Sequence, residues 1–274
     1  MLQSPKLVTI FGGSGFVGRY ISRRMAKEGW RVRVAVRRPN EAIFVKLYGN
    51  VGQVEPILAN IRDDASVQTA CAGADAVINC VGTFDKGGRN NFEAVQVAGA
   101  ERIARMAKAA GVEQLVHISA IGADVDALSN YARTKAKGEA LVTAAFHGAV
   151  ILRPSVIFGP EDDFFNRFAG MAAISPIIPL VGGNSKFQPV YVDDVAKAAV
   201  KAALGNAPAG VYELGGPDVE TFSALVGRML ACVCRKRLKV NIPFFIASLQ
   251  GKILDLFFAM TLGLFKNTIL TADQ

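Results

Sequence analysis

Apolar positions in the first two-thirds of the chain switch between two periods. Residues 7–11 form a short unbroken apolar run that stops at glycines, the signature of a strand buried on both faces. Residues 15–28 change to helical spacing, with Val17, Ile21, Arg24 and Met25 along one side. The same reasoning places strands at 32–36, 54–59, 76–81, 115–119 and 149–153, and helices at 90–110 and 131–146. Gly111 is the expected stop for the first of these helices. Strand–helix–strand alternation with short links predicts an α/β fold, a doubly wound parallel sheet over residues 1–155. Beyond Pro154 the rhythm breaks. Pro160, Pro176, Pro179, Gly182 and Gly183 punctuate the chain there, which assigns residues 156–274 to a small C-terminal lobe.

Composition excludes several classes. Of 274 residues 51% are hydrophobic and 20% charged, enough apolar surface for a sizeable core and too much for a disordered chain. Charge is unevenly placed: residues 1–46 carry +8, residues 47–220 carry −5 and residues 221–274 carry +5. A nucleic-acid binder would not be expected to hold so acidic a middle; two local basic regions suggest two local anionic partners. The cysteines Cys71, Cys80, Cys232 and Cys234 are scattered and too few for a disulfide framework, so they read as reduced thiols of a cytoplasmic protein. Apolar strand sequence begins at Leu7 without a cleavage site, so no signal peptide is expected. The longest apolar stretch, 241–265, is interrupted by Lys252 and Asp255 and reads poorly as a spanning helix.

The strongest chemical signal lies between the first strand and the first helix. Gly12, Gly15 and Gly18 follow G-x-x-G-x-x-G spacing. The first allows a sharp turn, the second a close approach of backbone to a pyrophosphate, the third close packing of helix on sheet. The helix N-terminus then offers free N–H groups to phosphates. Ser14, Phe16 and Val17 complete this candidate nucleotide loop. At the end of the second strand stand Arg37 and Arg38 rather than an acidic residue. Two guanidiniums there would clamp a 2′-phosphate, which favours NADP(H) over NAD(H).

These residues resemble the short-chain dehydrogenase/reductase superfamily in its extended and atypical branches, over about residues 6–220. Residues 60–63 resemble the family's adenine-contacting turn, with Asn60 and Ile61 at the contact positions and Asn60 where an Asp is usual. Residues 79–82 resemble the turn beside the adenosine ribose, which points to Val81 and Gly82. Tyr131 and Lys135 match Y-x-x-x-K. Residues 153–159 resemble the segment bordering the nicotinamide, with Pro154, Ser155 and Val156 nearest it, and residues 190–196 resemble a late motif of the extended branch. The resemblance implies a Rossmann-type sheet whose C-terminal lobe is intertwined with it. Residues 11–20, 77–82, 117–123, 157–162 and 269–274 together are most similar to the NADPH-binding accessory subunits of respiratory complex I (NADH:ubiquinone oxidoreductase). In that family the chain continues further, the nucleotide is NADPH held structurally, and the partners are other subunits of the membrane-bound complex. The implied location is peripheral, on the cytoplasmic face of a bacterial inner membrane or the mitochondrial matrix side. Some relatives are linked to quinone biosynthesis, so an NADP-dependent reductase or epimerase is the enzymatic alternative, and an NADP(H)-sensing regulator a third reading.

In that superfamily the tyrosine exchanges a proton with the substrate oxygen. The lysine lowers the tyrosine pKa and bonds the nicotinamide ribose. Tyr131 and Lys135 are one helical turn apart and share a face. The same pair can hold the ribose without chemistry. Ser119 is the candidate third group, although extended members often place their hydroxyl a position or two later, where this chain has Ala120 and Ile121. Asp193 and Asp194 read as a cap for a helix beginning at Val195. Cys232 and Cys234 read as two faces of one helix; with two histidines and no ligand spacing, no metal site is expected. Residues 221–254 hold six basic and no acidic residues, Arg228, Arg235, Lys236, Arg237, Lys239 and Lys252, beside the apolar stretch 244–265. That pairing suggests docking to the complex or to an anionic membrane surface.

Overall fold

The computed structural model describes residues 5–242. The chain divides into two units. One is built from the described residues up to Gly159 together with Val190–Gly215, the other from Pro160–Pro189 together with the described residues from Gly216. In chain order the first unit contributes β1 (Leu7–Phe11), α1 (Phe16–Lys27), β2 (Arg31–Val36), a 3-10 segment (Pro39–Tyr48), β3 (Val54–Leu58), α2 (Asp64–Cys71) and β4 (Ala76–Asn79). A π turn (Glu93–Val97) then leads into α3 (Ala98–Ala109), followed by β5 (Gln114–Ile118), α4 (Asn130–Ala145), β6 (Val150–Pro154) and β7 (Ile157–Phe158). The second unit supplies α5 (Phe164–Ile174), β8 (Ile177–Val181) and β9 (Lys186–Phe187). The chain returns to the first for β10 (Val190–Tyr191), α6 (Val192–Ala203) and β11 (Gly210–Leu214), and ends in the second with β12 (Glu220–Thr221), α7 (Phe222–Cys232) and β13 (Leu238–Ile242).

The first unit is a seven-stranded sheet ordered β11-β6-β5-β4-β1-β2-β3, and every pairing in it is parallel. Strand order reverses between β1 and β4, which makes their C-terminal ends a topological switch point. Burial follows from period two. Ile10, Val34, Ile78 and Val116 pack with Ile21 and Met25 of α1 and Ala196 and Ala199 of α6. Phe11, Ala35, Val77 and Leu115 pack with Val67, Ile103 and Val142 from α2, α3 and α4. Both faces are covered, which is why the strands read as near-continuous apolar runs.

Residues 190–215, grouped by sequence with the C-terminal lobe, fold with the first unit. β11 pairs with β6, and α6 is small and apolar along its inner face. This changes the account of Asp193 and Asp194. The helix starts at Val192, so both lie inside its first turn rather than at its cap. Asp193 instead takes both arms of Arg24 from α1, the Nε contact at 2.6 Å. Asp194 pairs with Lys197 at 2.7 Å. The expected cap missed a pairing made between helices far apart in sequence.

The second unit has its own core of Ile178, Leu180, Phe222, Val226 and Leu230, with Phe164, Phe168 and Phe187 against it. Three of the basic residues read as a docking patch also bond backbone carbonyls. Arg237 Nε donates to the Ala172 carbonyl at 2.8 Å and Arg235 to that of Ala173 at 3.2 Å. Both thus satisfy carbonyls at the end of α5. Lys239 donates to the Ser223 carbonyl at 2.8 Å. Cys232 ends α7, while Cys234 lies beyond it with a left-handed φ of 53°, so the pair does not share one helix. The apolar stretch 244–265 and the terminal residues 269–274 lie outside the described residues. Among the described residues no helix is long and apolar enough to cross a membrane.

The Arg24–Asp193 pair yields a pH-dependent expectation. Hydrogen bonding to Arg24 holds the Asp193 carboxyl below the usual carboxylate range. Its stabilising effect is therefore complete well above pH 4 and fades as pH falls through the depressed value. Asp193→Asn is expected to lose about 1–2 kcal/mol at pH 7. In urea titrations the gap to the parent protein should narrow below pH 4; a gap that stays constant would contradict the assignment.

Candidate functional site

The glycine turn is built by what cannot be present. Gly12 adopts a φ of +74°, where side chains are strained. A Cβ on Gly18 would collide with the Gly12 carbonyl, so α1 can begin this close to β1 only with glycine there. Gly15 is the N-cap of α1, with no side chain occupying the cap and no acidic residue in the first turn. Its amide donates to the Gly12 carbonyl at 3.0 Å. The Ser22 hydroxyl ties the Gly13 carbonyl at 3.0 Å, and Arg19 reaches the Ser14 carbonyl at 3.3 Å. Gly15 is exposed, and Ser14, Phe16 and Val17 are half-buried around it. The result is a fixed ring of backbone with an unblocked helix N-terminus, which fits a pyrophosphate.

The other predicted residues follow along the C-terminal edge of the sheet. Arg37 and Arg38 are exposed just past β2, and Arg38 pairs with Glu41 at 3.0 Å. Asn60 follows β3; its Oδ1 accepts the Arg62 amide at 3.1 Å, and its own amide donates to Ser66 at 2.9 Å. The Ile61 side chain lies where a Cβ on Gly99 would fall. Past β4, the Val81 amide donates to Asn79 Oδ1 at 3.0 Å, and a Cβ on Gly82 would stand 3.8 Å from Lys135 Nζ. Past β6, the Ile121 amide donates to the Pro154 carbonyl at 3.0 Å, Ser155 to that of Leu214 at 2.9 Å, and Val190 to that of Val156 at 2.9 Å. Gly12–Gly18, Val81–Gly82 and Lys135 therefore gather around the switch point. Arg37, Arg38, Asn60 and Ile61 extend the row towards β3, and residues 154–156 extend it towards β11.

Tyr131 and Lys135 share a face of α4, and the lysine is also tied to the backbone of β5. Lys135 is 5% exposed, and its Nζ donates to the Ile118 carbonyl at 3.3 Å. Its ammonium stands 5.9 Å from the Tyr131 ring centroid. Burial lowers the Lys135 pKa from 10.5 to about 8, against the opposing pull of Glu139 and Cys80. The Tyr131 phenol is pushed up to about 12 by burial. The resemblance implies a tyrosine made more acidic by its lysine; in the nucleotide-free protein the shift runs the other way, with burial as its cause. Ser119 Oγ is buried without a hydrogen-bond partner among the described residues. That orphaned hydroxyl and an ammonium with one acceptor among the described residues are donors that fit a polyhydroxylated ligand such as a ribose.

Sequence reasoning placed His117 in a strand with a local bond but did not assign it, or the other polar and aromatic groups that set this environment, to the site. His117 accepts from Asn79 at 3.1 Å and is pushed down to about 3 by burial and by Lys135. Burial pushes the Cys80 thiol up to about 12, partly opposed by Lys135. Glu139, one turn beyond Lys135, takes Arg153 at 2.7 Å. Gln96, 2% exposed, accepts from Thr134 at 2.9 Å. Phe84 stacks on Tyr131 with centroids 5.3 Å apart, and Phe92 meets it edge-on at 6.0 Å. The continuation of the 131–142 helical pattern could have singled out Glu139. The others depend on strand register and loop placement.

With this geometry in view, comparison with known proteins is informative. The NAD dependent epimerase/dehydratase family matches residues 8–215. A relative from Arabidopsis thaliana, NADH dehydrogenase [ubiquinone] 1 alpha subcomplex subunit 9, mitochondrial, is 38% identical over 88% of this chain and 61% of its own length. The mouse protein of the same name is 34% identical over 92% of this chain and 68% of its own length. The chain thus spans about three-fifths of the plant relative it matches. Among solved structures, Thermus thermophilus UDP-glucose 4-epimerase in complex with NAD superposes with a TM-score of 0.71 at 19% identity, covering 86% of each chain. That likeness shows the fold.

The state of Lys135 is directly measurable. In the nucleotide-free protein, carbon-13 NMR of labelled lysine side chains should show one resonance, absent from Lys135→Met, that titrates near pH 8. Burial disfavours the charged form, so this lysine costs the fold most below pH 8 and nothing once it is neutral in both states, above about pH 10.5. A Lys135 resonance titrating with the bulk of the lysines would contradict the burial argument.

Proposed function

We propose that this chain, which belongs to the NAD dependent epimerase/dehydratase family, uses that family's nucleotide cradle to hold NADPH without turning it over, as a nucleotide-binding accessory subunit of respiratory complex I. Gly12, Ser14, Gly15, Phe16, Val17 and Gly18 hold the pyrophosphate. Arg37, assisted by Arg38, takes the 2′-phosphate. Asn60 and Ile61 border the adenine, Val81 and Gly82 the ribose next to it. Ser119, Tyr131 and Lys135 bind the nicotinamide ribose, and Pro154, Ser155 and Val156 line the nicotinamide. The nucleotide, when bound, would bring hydride chemistry, but the surrounding residues favour retention. The observation that carries this reading is the unblocked glycine turn at the start of α1, together with the buried Ser119 hydroxyl and the Lys135 ammonium held on the Ile118 carbonyl; burial also pushes the Tyr131 phenol up to about 12. A phenol so reluctant to ionise is poorly matched to proton exchange at neutral pH. Turnover as an NADP-dependent reductase or epimerase would need the pair rearranged.

The partner assignment rests on the subunit 9 relatives. In this reading the chain sits peripherally on the membrane-bound complex, on the matrix side in mitochondria or the cytoplasmic face in a bacterium, with no nucleic-acid partner. Bound NADPH stabilises the folded chain by preferential binding, about 2.7 kcal/mol at a hundredfold excess over its dissociation constant.

Two measurements test this function. A tagged chain in its native membranes, solubilised in mild detergent, is expected to co-migrate with the respiratory complex; migration as a free protein would contradict the accessory role. Calorimetry tests the nucleotide assignment. Arg37→Ala should lose about 1.5–3 kcal/mol of NADPH affinity and little of NADH affinity, with a smaller loss for Arg38→Ala because Glu41 already engages it. Equal affinity of the parent protein for NADPH and NADH would overturn the 2′-phosphate assignment.

A further inference from the structure

Phe84 is 68% exposed, yet one face of its ring lies on Tyr131 at an interplanar angle of 15°. An exposed phenylalanine alone would mean little. This one is held in place from both sides. Thr83, just before it, accepts the Asp85 amide on its hydroxyl at 3.0 Å, which turns the chain across the phenylalanine. The Thr83 carbonyl accepts Gln96 Nε2 at 2.8 Å. The other end of the same buried amide accepts the Thr134 hydroxyl at 2.9 Å, and Thr134 lies between Tyr131 and Lys135 on α4. Gln96 therefore ties the loop carrying Phe84 to the helix carrying Tyr131.

The backbone supports this bridge. Gln96 sits in the π turn Glu93–Val97, an arrangement that often accompanies functional sites. Its carbonyl comes so close to α4 that Gly138 has no room for a Cβ. Phe92, just ahead of the π turn, closes on the Tyr131 ring edge-on. The phenol ring is thus covered by two aromatic side chains from one continuous segment, and that segment is pinned to α4.

We propose that residues 82–85 form a strap that holds Phe84 over Tyr131 as a built-in cap, with Gln96 as its positioning residue, and that this cap covers one face of the half-buried Tyr131 ring and limits the access of solvent and small-molecule reactants to it. The inference rests on reading Tyr131 and Lys135 as nucleotide-holding residues and supplies the physical reason that they do not turn over. It also accounts for burial as the cause of the raised Tyr131 pKa. The cap is a stack of two faces and one bridging amide, so either can be removed separately.

Hydroxyl-radical footprinting of the full chain, read at Tyr131 by mass spectrometry with Tyr191 as the reference, tests the proposal. Tyr191 is 39% exposed and belongs to β10, where its ring meets Phe158. Phe84→Ala should raise Tyr131 oxidation clearly; as a surface truncation it leaves the core intact. Gln96→Leu, with Phe84 retained, should raise it about fivefold, the change in open population that matches one lost hydrogen bond of about 1 kcal/mol. Phe84→Trp should keep Tyr131 as protected as in the parent. Unchanged oxidation in Phe84→Ala would overturn the cap. NADPH retention by the parent, measured on the same samples, reports on the proposed function separately: its loss would count against that function while leaving the cap standing.

Discussion

The close approach of α1 to β1 is the constraint on which the rest of the structure depends. Gly18 faces the Gly12 carbonyl with no space for a Cβ, so the helix can start directly over the end of the central strand. That placement leaves the amides of the first turn pointing along the switch point, next to the ends of β1 and β4. It also fixes where α1 packs. Ile21 and Met25 lie against the sheet, and Arg24 meets Asp193 of α6 across the same face. A bulkier residue at either glycine would displace the helix, and with it both the anion-binding end and the contact that brings residues 190–215 back to the sheet.

On the other face, electrostatics decides what the site can do. α4 carries Tyr131, Lys135 and Glu139 at successive turns, and each meets a different environment. Glu139 is satisfied by Arg153. Lys135 is buried, bonds the Ile118 carbonyl and is displaced to about 8. Tyr131 is covered by aromatic rings and displaced to about 12. A catalytic tyrosine–lysine pair needs the opposite direction at the phenol. The proposed retention of a nucleotide draws on both effects: donors near a sugar hydroxyl, and a phenol that burial keeps protonated.

Much of this is legible in the sequence, for identifiable reasons. Glycine spacing and strand periodicity are local, so β1, α1 and the phosphate turn can be placed from the order of residues alone. The i,i+4 spacing singles out Tyr131 and Lys135. Relationships between distant segments cannot be read in that way. Asp193 and Asp194 look like a cap because capping is the local use of such residues, whereas the partner of Asp193 lies on α1. Arg235 and Arg237 read as part of a basic patch, and their bonds to carbonyls at the end of α5 could not be read from their order in the chain. Residues 90–110 read as one helix because five residues of π turn are too short a stretch for their altered spacing to stand out from the helical pattern of α3. Gln96 is buried there with contacts to Thr83 and Thr134 that no periodicity encodes.

The central claim is that this fold holds NADPH without exchanging hydride, and the redox state of the bound nucleotide tests it most directly. The native complex would be isolated, allowed to oxidise NADH through many turnovers, and then denatured so that the released nucleotide could be quantified. The account predicts one nucleotide per chain, still reduced and still phosphorylated at the 2′ position. Oxidation of that nucleotide on the timescale of turnover, abolished by Tyr131→Phe, would contradict it.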